Sequence, residues 1–142
     1  MIIALGADHA AFEEKEQIKG FLEGCGHTVI DKGTHTADSV DYPEFGHAVG
    51  KAVVNEEAEK GIVICGSGIG ISISANKVNG IRAALCNTVE HAILSRQHND
   101  ANVLAMGARL TECSLLEKII TAWLETPFEG GRHQRRVEKI EL

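Results

Sequence analysis

Five short apolar runs that lack polar alternation constrain the fold of this chain more than any other feature. They read "MIIALGA" (1–7), "HTVID" (27–31), "GIVIC" (61–65), "IRAALC" (81–86) and "ANVLAMG" (101–107). A strand with one face in water alternates apolar and polar residues, whereas a strand covered on both faces does not. The runs therefore predict strands of a parallel sheet, mostly buried on both faces.

Segments of helical periodicity lie between these runs. Apolar residues recur at spacings of three and four over 18–25, 45–53 and 116–124, as on one face of a helix. Alternation of strand and helix predicts a parallel sheet with helices on both sides. We therefore predict a single Rossmann-like three-layer α/β/α domain over 1–142, with a five-stranded parallel sheet and a C-terminal helical tail. The tail, 126–142, is too polar to be core, so we expect it to dock on a partner chain.

Composition and charge exclude several classes of function. The formal net charge of −6 argues against a nucleic-acid partner. No apolar run approaches the length of a membrane span, and the first residues do not read as a signal peptide. The four cysteines have no CxxC spacing and no histidine partner at zinc-site spacing, so we expect reduced thiols and a cytoplasmic protein.

A glycine-rich segment, "GSGIG" at Gly66–Gly70, directly follows the third predicted strand. Its GxGxG spacing is not the GxGxxG of dinucleotide binding, and no Lys-Ser or Lys-Thr pair follows as in a P-loop. Successive backbone N–H groups at a helix N-terminus would suit an anion. A tight turn between strand and helix, with no ligand, explains the glycines equally well.

Cys65 stands between the strand and this loop. It is either an inert buried thiol or a nucleophile or base, and the neighbouring helix N-terminus favours the thiolate. The other cysteines, Cys25, Cys86 and Cys113, lack such a neighbourhood, so we assign them to packing.

Further polar residues are predicted at the carboxyl ends of strands, where open parallel sheets bind ligands. Asp8 and His9 follow the first strand, and Arg109 follows the last. We expect His98 and Asn99, which end the helix before the last strand, to join them on one rim. Two structural alternatives stay open, because Asp8 could cap a helix and His98 could be a solvated helix end.

Arg132 and Arg136 are four residues apart in the tail. On a helix they would share a face and could hold one phosphate from two directions. A solvated basic tail is the alternative.

Several long segments, in order, resemble the ribose-5-phosphate isomerase B family. They are "ADHAAF", "DKGTH…DYP", "ICGSGIGISISANKVNGIRAALC", "SRQHNDANVLAMGAR" and "EGGRHQRRV". The resemblance implies interconversion of D-ribose 5-phosphate and D-ribulose 5-phosphate, a step of the non-oxidative pentose phosphate pathway, with no metal or organic cofactor. It also implies a homodimer, or a tetramer of two dimers, whose sites combine residues of two chains.

Residue roles follow from the same resemblance. Cys65 corresponds to the base that moves the proton, and His98 to the residue that assists opening of the sugar ring. The substrate contacts implied are Asp8, His9, Gly66, Ser67, Gly68, Ile69, Gly70, Asn99, Arg109, Arg132 and Arg136, with Tyr42 and His133 in matching segments.

Two positions refine the match. Ser67 replaces a threonine that is common in the family and keeps its hydroxyl. One branch of the family uses a glutamate after the loop as its base, but this chain has Ile71 there, so the cysteine branch is the consistent assignment. The related galactose-6-phosphate isomerase subunits depart from the "HND" and "GGRH" segments that this chain retains.

Two other functions remain open from the residues. A non-catalytic phosphosugar or nucleotide sensor on the same scaffold would explain the loop and the arginines, although not the added cysteine and histidine. A thiol-redox role is weakened by the absence of a resolving cysteine at CxxC spacing. An allose 6-phosphate side activity is also expected, because one extra carbon needs little extra room.

Overall fold

The computed structural model describes residues 1–142, and its five strands form one parallel sheet. The strands lie in the order β2-β1-β3-β5-β4 and every neighbouring pair is parallel. Their bounds are β1 Ile2–Ala7, β2 Thr28–Asp31, β3 Lys60–Cys65, β4 Ala83–Leu85 and β5 Val103–Gly107. The predicted Rossmann-like sheet is confirmed.

The chain forms six helices, and the first five cover the two faces of the sheet. They are α1 Phe12–Gly24, α2 Tyr42–Val54, α3 Ile69–Asn76, α4 Val89–Asn99, α5 Cys113–Glu125 and α6 Arg132–Ile140. One hydrophobic cluster joins the sheet to α1, α4 and α5, and a second joins it to α2 and α3. The molecule therefore has the three layers predicted. None of the helices combines the length and the apolar character needed to cross a membrane.

Burial separates the central strands from the edge strands. β5 is buried throughout, and β1 and β3 are buried from their second residues onward, as predicted. The edge strands β2 and β4 are only partly buried, so the prediction of burial on both faces is wrong there. The reason lies in the strand order, which leaves one side of each edge strand without a neighbour and incompletely covered.

A buried ion pair fastens the edge strand β2 to α1. The Nζ of Lys15, whose side chain is fully buried, lies 2.6 Å from Oδ2 of Asp31. Burial raises the pKa of Asp31, but the Lys15 hydrogen bond, the Gly33 N–H and the Lys15 charge outweigh it and leave that pKa lowered. Gly33 and Thr34 then exchange backbone hydrogen bonds of 2.7 Å with Ala7. The pair therefore steadies the end of β1, directly before Asp8.

The tail packs on its own chain. The first helical turns of α6 lie against the end of α4, where the His133 ring stacks on the His98 ring. Val137 and His133 are buried, whereas Arg132 and Arg136 are exposed. The expected docking on a partner chain stays a prediction, and the exposed arginines are what the tail presents for it.

Candidate active site

Cys65 ends β3 at the carboxyl edge of the sheet, beside Gly107 of β5. Its side chain points under the glycine loop, and the residue is only 5% exposed. The backbone N–H of Gly68 donates to Sγ at 3.1 Å. The sulfur therefore lies against a backbone donor of the loop.

The loop that follows packs against β5, and the packing requires glycine at one loop position and at the end of β5. Gly68 precedes α3 with φ +79°, and a Cβ there would meet Leu85 Cδ1 at 2.6 Å and the Met106 carbonyl carbon at 2.7 Å. A Cβ on Gly107 would lie 2.5 Å from the Ser67 oxygen. The loop is therefore pressed against β5, and only glycine permits both the left-handed turn and the close approach. The loop is thus a tight turn between strand and helix, which was one of the two explanations for its glycines. A tight turn of this kind does not exclude a ligand.

Asp8 and His9 lie beside the loop because β1 is the neighbour of β3. Asp8 is 7% exposed and its Oδ1 accepts the Ala10 N–H at 3.1 Å, so it does cap the short 3₁₀ turn that follows. His9 Nδ1 accepts the Val40 N–H at 3.1 Å. Since Nδ1 is an acceptor, a neutral His9 carries its proton on Nε2 and can donate it. The Val40 contact has no sequence signal, because it depends on the fold of the 34–41 loop.

A cleft of about 650 Å³ joins these groups. Its lining includes most of the predicted contacts: Asp8, His9, Tyr42, Cys65, Gly66, Ser67, Ile69, Gly70 and Arg109. The Arg109 side chain lies over Gly66, where a Cβ would meet its Cδ at 3.2 Å. Three further lining residues were not predicted: Ala10, and Ile73 and Leu110, which are 55% and 70% exposed. The four-residue spacing of Ile69 and Ile73 on one exposed face of α3 was the signal available.

The remaining predicted residues do not line this cleft. His98 and Asn99 lie at the opposite edge of the sheet, where the Asn99 carbonyl accepts a hydrogen bond from Arg82 Nε at 3.0 Å, just before β4. The expectation of a single rim within one chain is therefore wrong. A helix between parallel strands runs antiparallel to them, so the C-terminal end of α4 returns to the edge where the strands begin.

Arg132, His133 and Arg136 belong to this second group. The His98 and His133 rings stack with centroids 4.4 Å apart and planes 13° apart. Glu129 Oε2 lies 3.6 Å from His133 Nε2. Burial lowers the pKa of His133, and His98, Arg132 and Arg136 lower it further, while Glu129 opposes them. His133 is therefore mainly neutral at pH 7. Glu129 was missed, although its four-residue spacing from His133 was visible.

The other three cysteines differ from Cys65. Burial raises the pKa of Cys86 to about 11, and the hydrogen bond with Ser95 opposes it only in part. Burial also raises the pKa of Cys113, aided by Glu117 and Glu14. Both thus stay protonated near neutral pH. Cys25 is exposed, so its assignment to packing is wrong, because α1 ends one residue before it.

Fold and cleft together define a Rossmann-like α/β protein with a thiol beside a glycine loop at the start of a helix. Known proteins are similar to this chain over nearly its whole length. The Ribose/Galactose Isomerase family profile matches residues 3–140. Ribose-5-phosphate isomerase B of Escherichia coli (strain K12) is 51% identical over 97% of this chain and 93% of that protein.

Two further similarities extend over nearly the whole chain. The solved structure of ribose-5-phosphate isomerase B from Clostridium thermocellum is 52% identical, with a TM-score of 0.98 over 99% of this chain and 95% of that chain. D-erythrulose-4-phosphate isomerase of Pectobacterium atrosepticum is 43% identical over 97% of this chain and 91% of that protein. The chain belongs to the ribose/galactose isomerase family, and it is an enzyme of the aldose–ketose isomerase class rather than a non-catalytic sensor.

Proposed function

We propose that this enzyme interconverts D-ribose 5-phosphate and D-ribulose 5-phosphate in the cytoplasm, through an enediolate. One observation carries the proposal: Cys65 Sγ lies at the floor of the cleft and receives the Gly68 N–H at 3.1 Å. This position places a base beside a loop whose backbone N–H groups can stabilise the negative charge formed when the base removes a proton. Ribose-5-phosphate isomerase B relatives at about half identity support this substrate.

Cys65, as thiolate, takes the proton from C2 of the open-chain aldose, and the electron pair left behind forms the enediolate. The same thiol returns the proton to C1, while one hydroxyl proton passes from O2 to O1. Backbone N–H groups of Gly66–Gly70 stabilise the oxyanion, and one such donor is typically worth about 3 kcal/mol. No external oxidant or reductant is needed.

The arginines and histidines position the sugar. Asp8 and His9 contact its ring and hydroxyl end, with Tyr42 over the mouth of the cleft. The phosphate lies with Arg109, Arg132 and Arg136, whose binding energy holds the reacting carbons in place. His98 shuttles the anomeric hydroxyl proton when the ring opens, a task suited to imidazole, and Asn99 and His133 complete that side.

These two groups lie at opposite edges of one sheet, so a complete site requires a second copy of the chain. We propose a homodimer in which the cleft of one protomer receives His98, Asn99, Arg132 and Arg136 of the other; two dimers could pair further. The exposed apolar side chains beside the cleft, Ile69, Ile73 and Leu110, give such a partner a surface to cover. The docking of the tail belongs to this arrangement.

A coupled assay tests the substrate. Turnover is measured in parallel with ribose 5-phosphate, allose 6-phosphate, galactose 6-phosphate and D-erythrulose 4-phosphate. We expect it to be fastest with ribose 5-phosphate and slower with allose 6-phosphate. D-Erythrulose 4-phosphate is included because a 43% identical relative is named for it. Preference for any of the other three would contradict the assignment.

Substitution tests the base. Cys65→Ala should abolish turnover while ribose 5-phosphate binding, measured by calorimetry, survives, because the loop and the arginines remain. Cys86→Ala, a change at another buried thiol, is the matched control and should keep activity. Substantial turnover in Cys65→Ala would refute Cys65 as the base.

A further inference from the structure

The group of side chains at the second edge has the composition of a metal site. One ligand atom each from His98, Glu129 and His133 lies within 4.8 Å of the others. The three residues come from the end of α4, the segment after α5 and the start of α6. Two of them, Glu129 and His133, are held four residues apart, while the Glu129 backbone N–H donates to the Gln97 carbonyl at 3.2 Å. The cluster is therefore built by tertiary structure rather than by chance proximity of mobile side chains.

Two imidazoles and one carboxylate are a donor set that Zn²⁺ accepts, with an open fourth position. Bonds of about 2.1 Å require ligand atoms to lie about 3.4 Å apart in a tetrahedral site. The Glu129–His133 pair, at 3.6 Å, already satisfies this spacing. The stacked His98 and His133 rings must tilt out of their parallel arrangement so that both lone pairs converge. Because His98 is half-buried and Glu129 is exposed, side-chain rotation alone can achieve it.

The charged groups around the cluster both favour and oppose metal binding. A ligating histidine must be neutral, so a metal ion competes with protons for both imidazoles. Arg132 and Arg136 are close enough to act on His133, and their positive charge disfavours a cation. The Glu129 carboxylate is the only negative ligand of the three, so its removal should weaken metal binding strongly.

We propose that His98, Glu129 and His133 form a site for a divalent transition metal of the Zn²⁺ type. The site is separate from the Cys65 cleft of the same chain. Bound metal would occupy the imidazole nitrogen of His98. Because the proposed function gives His98 a part in the reaction, the bound ion is an inhibitor of the isomerase rather than a cofactor. This consequence rests on the proposed function.

Calorimetry with ZnCl₂ on the metal-stripped full-length protein tests the site. We expect one Zn²⁺ per chain, with affinity reduced at least about tenfold by Glu129→Gln and about 100-fold by His133→Gln. His91→Gln, an exposed histidine on the same helix as His98, is the matched control and should bind like wild type. Equal affinity in wild type and Glu129→Gln would overturn the proposal, and so would the absence of binding.

Cobalt separates this site from the thiols. Co²⁺ bound by two imidazoles and a carboxylate shows ligand-field bands without a thiolate-to-metal charge-transfer band. We expect that spectrum in wild type and its loss in Glu129→Gln. A strong thiolate band would place the metal on a cysteine and overturn the proposal.

The inhibitory consequence has its own readout. Zn²⁺ should slow turnover of ribose 5-phosphate in wild type, and Glu129→Gln should need at least about ten times more metal for the same inhibition. Glu129 has no assigned role in the reaction, so its variant should turn over normally without metal. Zinc bound by calorimetry but without effect on turnover would refute the role of His98 in the reaction and leave the metal site standing.

Discussion

Lys60 shows how a single residue far from the cleft affects stability. It begins β3, its Nζ lies 5.1 Å from the Trp123 ring centroid, and the Arg96 guanidinium lies 5.9 Å from the same ring. Burial lowers the pKa of Lys60 to about 8, Arg96 lowers it further, and Asp100 and Glu59 oppose the shift. At neutral pH the folded chain therefore carries a lysine charge in a position that disfavours it.

Lys60→Met should stabilise the protein at pH 7 by about 1–2 kcal/mol, a value reduced for the solvent that screens the amine. The folded pKa of about 8 lies below the unfolded value of 10.5. Below pH 8 both states are protonated and the cost is complete. Between pH 8 and 10.5 the unfolded state binds more protons, so the stability of wild type rises with pH and the advantage of the variant falls.

Urea unfolding of both proteins at pH 7, 9 and 10 measures this difference. Lys118→Met, at an exposed lysine on α5, is the control and should show no such pH dependence. A gain from Lys60→Met that is constant across the range would contradict the assignment.

At the scale of elements, the first turns of two helices form the mouth of the cleft. Tyr42 begins α2 and Gly70 lies in the first turn of α3. A Cβ on Gly70 would lie 2.6 Å from two carbons of the Tyr42 ring. Since Tyr42 is 41% exposed, its ring can turn away at little cost, but it then leaves the cleft.

Gly70→Ala should therefore change the stability by less than about 1 kcal/mol while raising KM for ribose 5-phosphate several-fold. Steady-state kinetics and thermal unfolding measure the two effects. Tyr42→Ala should reproduce the KM change. Gly20→Ala, on an exposed face of α1 with no atom within 4 Å of the added Cβ, should leave KM unchanged. An unaltered KM in Gly70→Ala would remove Tyr42 from substrate binding.

Local pattern predicted the elements well and their burial less well. The apolar runs located all five strands, although "IRAALC" (81–86) contains a strand of only three residues, Ala83–Leu85. The runs cannot distinguish a central strand from an edge strand, because strand order is decided by crossovers between distant segments. The half-buried β2 and β4 follow from that order.

For the whole molecule, the main feature is that the candidate residues form two groups at opposite edges of the sheet. The Cys65 group was predictable because Cys65 and its loop are contiguous in sequence, and because β1 and β5 both pair with β3. The single rim was not a valid expectation for His98, since His98 lies at the end of a helix rather than at the end of a strand. Glu129 and the Val40 contact depend on loops, which periodicity does not describe.

Complementation tests whether two chains share a site. Cys65→Ala and His98→Asn should each be inactive alone. After unfolding and refolding as an equal mixture, half of the dimers carry both variants, and one of their two sites is intact, so about a quarter of wild-type activity should return. Refolding each variant separately is the control. No recovery in the mixture would mean that the complete site lies within one chain, or that Cys65 and His98 do not act in the same site.

The position of Trp123 has an optical consequence. It is the only tryptophan of the chain, it is fully buried near the end of α5, and it contacts Lys60 and Arg96 at the edge of the sheet opposite Cys65. Arg96 lies on the same helix as His98, so the indole emission is expected to report events at the His98 edge. In a dimer with shared sites, a fluorescence change on adding ribose 5-phosphate would come from the protomer that contributes His98, not from the protomer that contributes Cys65.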